Sequence, residues 1–444
     1  MTIRRLLLQL LLCLTATAAA QTDRVKVRIF AAATVEYVSV SFDLGVYRLY
    51  ADDTLIDSTL TEGSTIELAR QGNAVNVSAG SYHYGTYRQV RLEATDTACI
   101  LCLNPRGSAS RSYEGNLVVS AAKAKGLLII NDVEFETYLA GVAQSEIYGD
   151  ESDIYRVQAI ISRTWALRNL GKHKNDGYNF CDHVHCQAYH NRCVRPDIML
   201  GTIASSGETI VDAEGRLIET PFHSNSGGET ANSEDVWRTA LPYLRSVEDT
   251  FSYRMRQSDW EKSISEEQWL GYFSKKHHVD TSNDSLRHLL LSFKQEHRKA
   301  KLLQVPLTRV RVDFKLKSTF FSVDYDSTHR RVILRGHGYG HGVGLSQEGA
   351  IRMVRMGIPY DRIIQHYYTG ARIYKNPNTE HHYVQHYVAQ IEQIIEEDRH
   401  RSSQTKSKKD DWLGRLFRLR DREEREETYD ASRQELEHDW QYEW

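Results

Sequence analysis

Apolar and polar residues alternate along the first third of the chain. VKVRIF, YVSVSF, VYRLYA, STIELA and VRLEA, spread over residues 24–130, each repeat with period two, the pattern of half-buried strands. Asp52-Asp53 and Gly72-Asn73 supply turns between them. From about residue 133 the period changes. VEFETYLAGVAQSEI puts Phe135, Tyr138, Leu139 and Val142 on one helical face, and DIYRVQAIISRTWALRNL does the same with Ile154, Val157, Ile161 and Trp165. Ser152 is the expected cap of the second helix. Residues 255–303 read as a charged helical insertion. VRVDFKL, FFSVDYD and RVILRG read as short strands leading into a glycine-rich loop, and Ser346 starts a helix that stops near Gly357 and Pro359. The class is α+β. A β-rich region over 21–115 precedes a mixed helical and strand domain over 116–375.

The two ends read differently. MTIRRLLLQLLLCLTATAAA has Arg4 and Arg5, an apolar run and small residues to Ala20, which predicts a signal peptide over 1–20 and export to a periplasm or cell envelope. Residues 376–444 read as a charged tail, helical or disordered. Within it WLGRLFRL gathers Trp412, Leu413, Leu416 and Phe417 among arginines. That segment suits a membrane surface, a protein partner, or docking on its own chain. The net charge of −3, or −5 without Arg4 and Arg5, excludes a nucleic-acid footprint.

Candidate chemistry lies in four stretches. RGHGYGHGVGLSQEGA (335–350) sets glycine at every second position from Gly336 to Gly344, with His337, Tyr339 and His341 in the gaps. Glycines at that density argue against a helical H-x-x-x-H metal pair. They predict a bare loop that a polar ligand approaches, with imidazoles offering hydrogen bonds. FHSNSGGETANSEDVW (222–237) is a second polar loop, with His223, Ser224 and Ser226; it lacks the G-x-S-x-G elbow of a serine hydrolase. Glu146 ends an apolar helix face beside Ile147 and Tyr148, a setting in which a carboxyl keeps its proton to neutral pH. Arg156 and Arg163, seven apart, share a face of the next helix. Finally, residues 173–193 carry His173, Cys181, His183, His185, Cys186, His190 and Cys193. Two chemistries fit: a zinc site and a Cys181–Cys186 disulfide. Nothing calls for an organic cofactor, and no H-E-x-x-H peptidase motif occurs.

ETYLAGVAQSEI, VQAIISRTWALR, CDHVHCQAY, FHSNSGGETANSEDVW with PYLRSV, and GHGYGHGVGLSQEGA with HYYTGARI together resemble the SpoIID/LytB family. They follow the family's order over roughly residues 110–375. The resemblance implies a lytic transglycosylase that cuts peptide-free peptidoglycan glycan at the MurNAc–GlcNAc bond and leaves 1,6-anhydro ends. It implies Glu146 as the catalytic acid, with Ile147 and Tyr148 where the family has Met and Pro, and Arg156 where it has Lys. It implies Arg163, His223, Ser224, Ser226, His337, Tyr339 and His341 as substrate contacts. A structural zinc on Cys181, His185 and Cys186, with His173 as fourth ligand, is implied from members that bind one. The other role described in the family is a non-catalytic wall-binding protein that enhances a cell-wall amidase.

Overall fold

The computed structural model describes residues 24–149 and 151–376. The leader-like segment and the chain beyond Asn376, WLGRLFRL included, lie outside the described residues. Among those described, no helix is long and apolar enough to cross a membrane. The fold is α+β. The chain divides into two compact units, one of residues up to 138 with 170–182, the other of 139–169 with 183–375.

The first unit is built from twelve strands: β1 (Arg24–Ile29), β2 (Tyr37–Leu44), β3 (Tyr47–Ala51), β4 (Thr54–Leu60), β5 (Thr65–Gln71), β6 (Ala74–Ala79), β7 (Tyr82–Tyr87), β8 (Gln89–Ala94), β9 (Ile100–Pro105), β10 (Arg111–Glu114), β11 (Asn116–Ala121) and β12 (Leu127–Glu134). A later strand, β13 (Phe180–Cys181), joins them. They form a seven-stranded sheet, β13-β1-β12-β11-β8-β3-β4, and a six-stranded sheet, β10-β9-β2-β5-β6-β7. The period-two pattern decides which face is inside. Val25, Val27 and Ile29 of β1, Val38, Val40 and Phe42 of β2, and Val90 and Leu92 of β8 are all buried. The Asp52-Asp53 turn has both central residues at positive φ, 43° and 68°, the backbone hand that matches strand twist.

The β-rich region runs to Glu134, past the expected boundary at 115. β12 pairs antiparallel with β1 from Arg24↔Glu134 to Ile29↔Ile129, and β11 joins β12 to β8. Both strands therefore belong to the first sheet.

The second unit takes most of α1 (Phe135–Glu146) and all of α2 (Ser152–Arg168). Ile154, Val157, Ile160 and Ile161 of α2 pack with Ile198, Met199, Ile351, Ile364 and Tyr367, each such burial contributing about 1.5–3 kcal/mol. Ser152 is the first residue of α2; the cap position falls on Glu151, which makes no side-chain capping bond. Ser346 caps as expected, its side chain accepting from Gly349 N.

The insertion also differs from expectation. It is a mixed module in which Asp259–Ser265 pairs with Arg331–His337, and that strand with Phe321–Asp326. Trp269, Phe273, Leu290, Val310, Phe314, Val323 and Leu334 form its own core. Strand 331–337 thus lies between its neighbour 321–326 and a second partner some seventy residues back.

Candidate active site

Glu146 is the last residue of α1. Its side chain is half-buried and Oε1 accepts a hydrogen bond from Ala188 N at 2.6 Å. Burial pushes the carboxyl up to about 7, and the Ala188 N–H works in the opposite direction. A carboxyl with its pKa raised this far still holds its proton in part at neutral pH.

The two polar loops come together. Phe222–His223 pairs in parallel with Leu345–Ser346, and Asn225↔Tyr339 and Ala231↔Val343 extend the contact. This accounts for two of the alternating glycines, Gly338 and Gly344, where the expectation was a bare loop approached by a polar ligand. A Cβ on Gly338 would lie 2.5 Å from Asn225 O, and one on Gly344 2.2 Å from Pro221 O. Both residues have φ near +70°, where side chains are strained in any case. The close neighbour is the protein's own 221–227 backbone.

His341 is corrected in the same way. Its Nε2 lies 2.9 Å from Phe222 O and its Nδ1 accepts from Val343 N at 3.0 Å. Both ring nitrogens therefore serve the backbone, and the tautomer with hydrogen on Nε2 satisfies both contacts. Burial, aided by Arg311, pushes its pKa down to about 3, so the ring is neutral and shapes the loop. Ser226 is likewise engaged, donating to Asp249 Oδ2 at 2.7 Å. His337 is exposed and sits 2.8 Å from Asp259; Tyr339 is half-buried with Lys317 Nζ 5.7 Å from its ring centre.

His223 and Ser224 are different. Both are about 95% buried, at 4% and 5% exposure. His223 Nδ1 lies 3.2 Å from Val343 O. Among the described residues, His223 Nε2 and Ser224 Oγ have no hydrogen-bond partner. Burial holds the His223 ring neutral. A buried polar atom left unpaired costs about 1–3 kcal/mol, so a ligand hydroxyl or amide that pairs with these two atoms recovers that cost.

The stretch 173–186 gathers His173, Cys181, His185 and Cys186, whose ligand atoms all lie within 4.8 Å of one another. These are the four residues the sequence and its resemblance single out. Tetrahedral zinc, at about 2.0–2.3 Å from nitrogen and sulfur, needs ligand–ligand edges of roughly 3.3–3.8 Å. Two thiolates and two imidazoles are donor types that such a site takes.

The family profile named SpoIID, described as "Stage II sporulation protein", matches residues 123–211. That span holds α1 with Glu146, α2, and the histidine–cysteine stretch. The chain is thus similar to the SpoIID/LytB family. It is 25% identical over 262 residues to the stage II sporulation protein D of Bacillus subtilis, covering 55% of this chain and 75% of that protein. It is 23% identical over 290 residues to the Bacillus subtilis protein named amidase enhancer, covering 53% and 40%.

Within this SpoIID-like chain, the two arginines of α2 serve the scaffold. Arg156 pairs with Glu208 at 2.8 Å and stacks 3.7 Å over the Tyr360 ring. Arg163 is 2% exposed and donates to Ser205 O and Glu208 O. Arg163 is thus buried in the scaffold, while Arg156 is held by Glu208 and Tyr360 and stays partly exposed. Sequence reasoning also missed two buried acids, Asp249 and Glu348, both 0% exposed. Asp249 accepts from Ser226 and Ser252. Neither acid carries a local signal, since Glu348 in a first helical turn reads as an ordinary dipole partner.

Proposed function

We propose that this protein is a lytic transglycosylase of the cell wall, cutting peptide-free glycan strands between MurNAc and GlcNAc. Similarity to SpoIID proteins supports the cell-wall role. The observation that carries the chemistry is Glu146, a half-buried carboxyl whose pKa stands near 7. Glu146 gives its proton to the glycosidic oxygen as the C1–O4 bond breaks. The same carboxylate then takes the proton of the MurNAc C6 hydroxyl, and O6 closes on C1. The proton returns to Glu146, no water is consumed, and one carboxyl does the work that ordinary glycosidases divide between two. His223 Nε2 and Ser224 Oγ pair with sugar hydroxyl or acetamido groups. The leader-like first twenty residues support export to a periplasm or envelope.

Purified protein incubated with denuded glycan should release 1,6-anhydro-ended fragments. The second reading, an amidase enhancer without cleavage, draws on the printed name of one relative. It predicts intact glycan together with faster turnover by an added wall amidase.

The acid must be protonated to start the reaction, so turnover should fall as pH rises through about 7. A rate profile with glycan in excess measures this. A flat profile from pH 6 to 9 would contradict the assignment.

His173, Cys181, His185 and Cys186 would hold a structural zinc, two thiolates and two imidazoles in number and type. Bound zinc would stabilise this stretch, and no step of the reaction passes through it. Elemental analysis should find about one zinc per chain, and chelation should lower the melting temperature. Absence of zinc with a mass showing Cys181 joined to Cys186 would establish the disulfide instead.

A further inference from the structure

Helix α1 ends at Glu146, so Ile147, Tyr148 and Gly149 continue without regular structure. Side chains from elsewhere hold this segment. Gln347 Nε2 donates to Glu146 O at 2.8 Å. The Tyr148 hydroxyl donates to Glu348 Oε1 at 2.9 Å. Gly149 O accepts from the Tyr155 hydroxyl and from Arg195 Nη2. Glu348 is wholly buried, which a carboxylate tolerates only with several donors around it. Its other oxygen accepts from Asn225 Nδ2 at 2.6 Å and Gln257 N at 3.1 Å. One buried acid therefore joins the segment bearing Glu146, the polar loop around Asn225, and the first turn of the helix Gln347–Arg355.

We propose that Tyr148 and Glu348 form a positioning clamp, in which their hydrogen bond fixes the segment carrying Glu146 against the start of that helix. Neither residue needs to touch substrate. The clamp keeps the Glu146 carboxyl in one orientation relative to the polar loops. Its catalytic consequence rests on the reading of Glu146 as the acid; its effect on local order does not. A small loss of alignment at a reacting group is enough to cost about tenfold to a hundredfold in rate.

Tyr148→Phe removes one oxygen and keeps the ring, and Gln347→Ala cuts the neighbouring tether to Glu146 O. The full chain and both variants are compared by melting temperature, by hydrogen–deuterium exchange over residues 143–150, and by kcat and KM on denuded glycan. Tyr148→Phe should exchange faster in that peptide with little change elsewhere. Its kcat should fall about tenfold or more with KM within about twofold. Gln347→Ala should act in the same direction, so the test survives if one variant folds poorly. Unchanged exchange in the folded variants would overturn the clamp, and faster exchange with unchanged kcat would overturn its positioning role. If the unaltered protein cleaves no glycan yet the Tyr148→Phe peptide exchanges faster, the clamp stands and the transglycosylase reading is what fails.

Discussion

Glu146→Gln should abolish glycan cleavage while leaving the fold intact. The amide matches the carboxyl in size and still accepts the Ala188 N–H bond through its oxygen. It has no acidic proton to give and no carboxylate to recover one. If Glu146 acts first as acid and then as base, as proposed, its removal should cost at least about 10²–10⁴-fold, the range for a general acid–base residue. The melting temperature should hold or rise slightly, because a neutral amide is easier to bury than a carboxyl that ionises near 7. Mass spectrometry of the glycan ends, beside a thermal melt, checks both halves. Product equal to that of the unaltered protein would remove Glu146 from the mechanism.

The second large effect concerns the glycine loop. Gly344→Ala should destabilise the protein by about 2–4 kcal/mol, combining strain at positive φ with a clash. The new Cβ would fall 2.2 Å from Pro221 O, a backbone atom tied into the pairing of the two loops. Gly357 is the control. Its φ of +75° is similar, but nothing lies within 4 Å of the Cβ site. Gly357→Ala should therefore cost the strain alone, about 1 kcal/mol. Denaturant melts of the two variants isolate the contact. Equal losses would mean that the backbones do not pack as described and that the loop is free for a ligand.

That loop shows how far a sequence can be read. Alternating glycines announce that something approaches the backbone; they do not say what. The approaching group proved to be Asn225 and Pro221 of the same chain, a partner more than a hundred residues away. His341 misled for the same reason. A histidine between glycines looks presented to solvent until its two nitrogens are seen on Phe222 O and Val343 N. Glu146 was legible because its setting is local: an apolar helix face ends beside it, and burial of that face raises the pKa. The cysteine–histidine stretch was legible because its ligands lie within fourteen consecutive residues.

Longer-range features were not legible. β11 and β12 carry apolar residues that suit several assignments, and only their pairing with β8 and β1 decides their sheet. Asp259–Ser265 is polar at most positions and becomes a strand because Arg331–His337 pairs with it residue by residue. Arg156 and Arg163 share a helix face in sequence, yet that face meets Glu208 and the carbonyls around Ser205. Burial of a charged residue is set by what the rest of the chain brings to it.

In the proposed mechanism Glu146 moves one proton out and one back while the MurNAc C6 hydroxyl, and no water, closes on C1. Digestion of denuded glycan in water enriched in oxygen-18 tests it directly. The unaltered protein should release 1,6-anhydro-ended fragments whose masses carry no heavy oxygen, and Glu146→Gln should release none. Reducing-end fragments that each carry one oxygen-18 would show hydrolysis by water and contradict it.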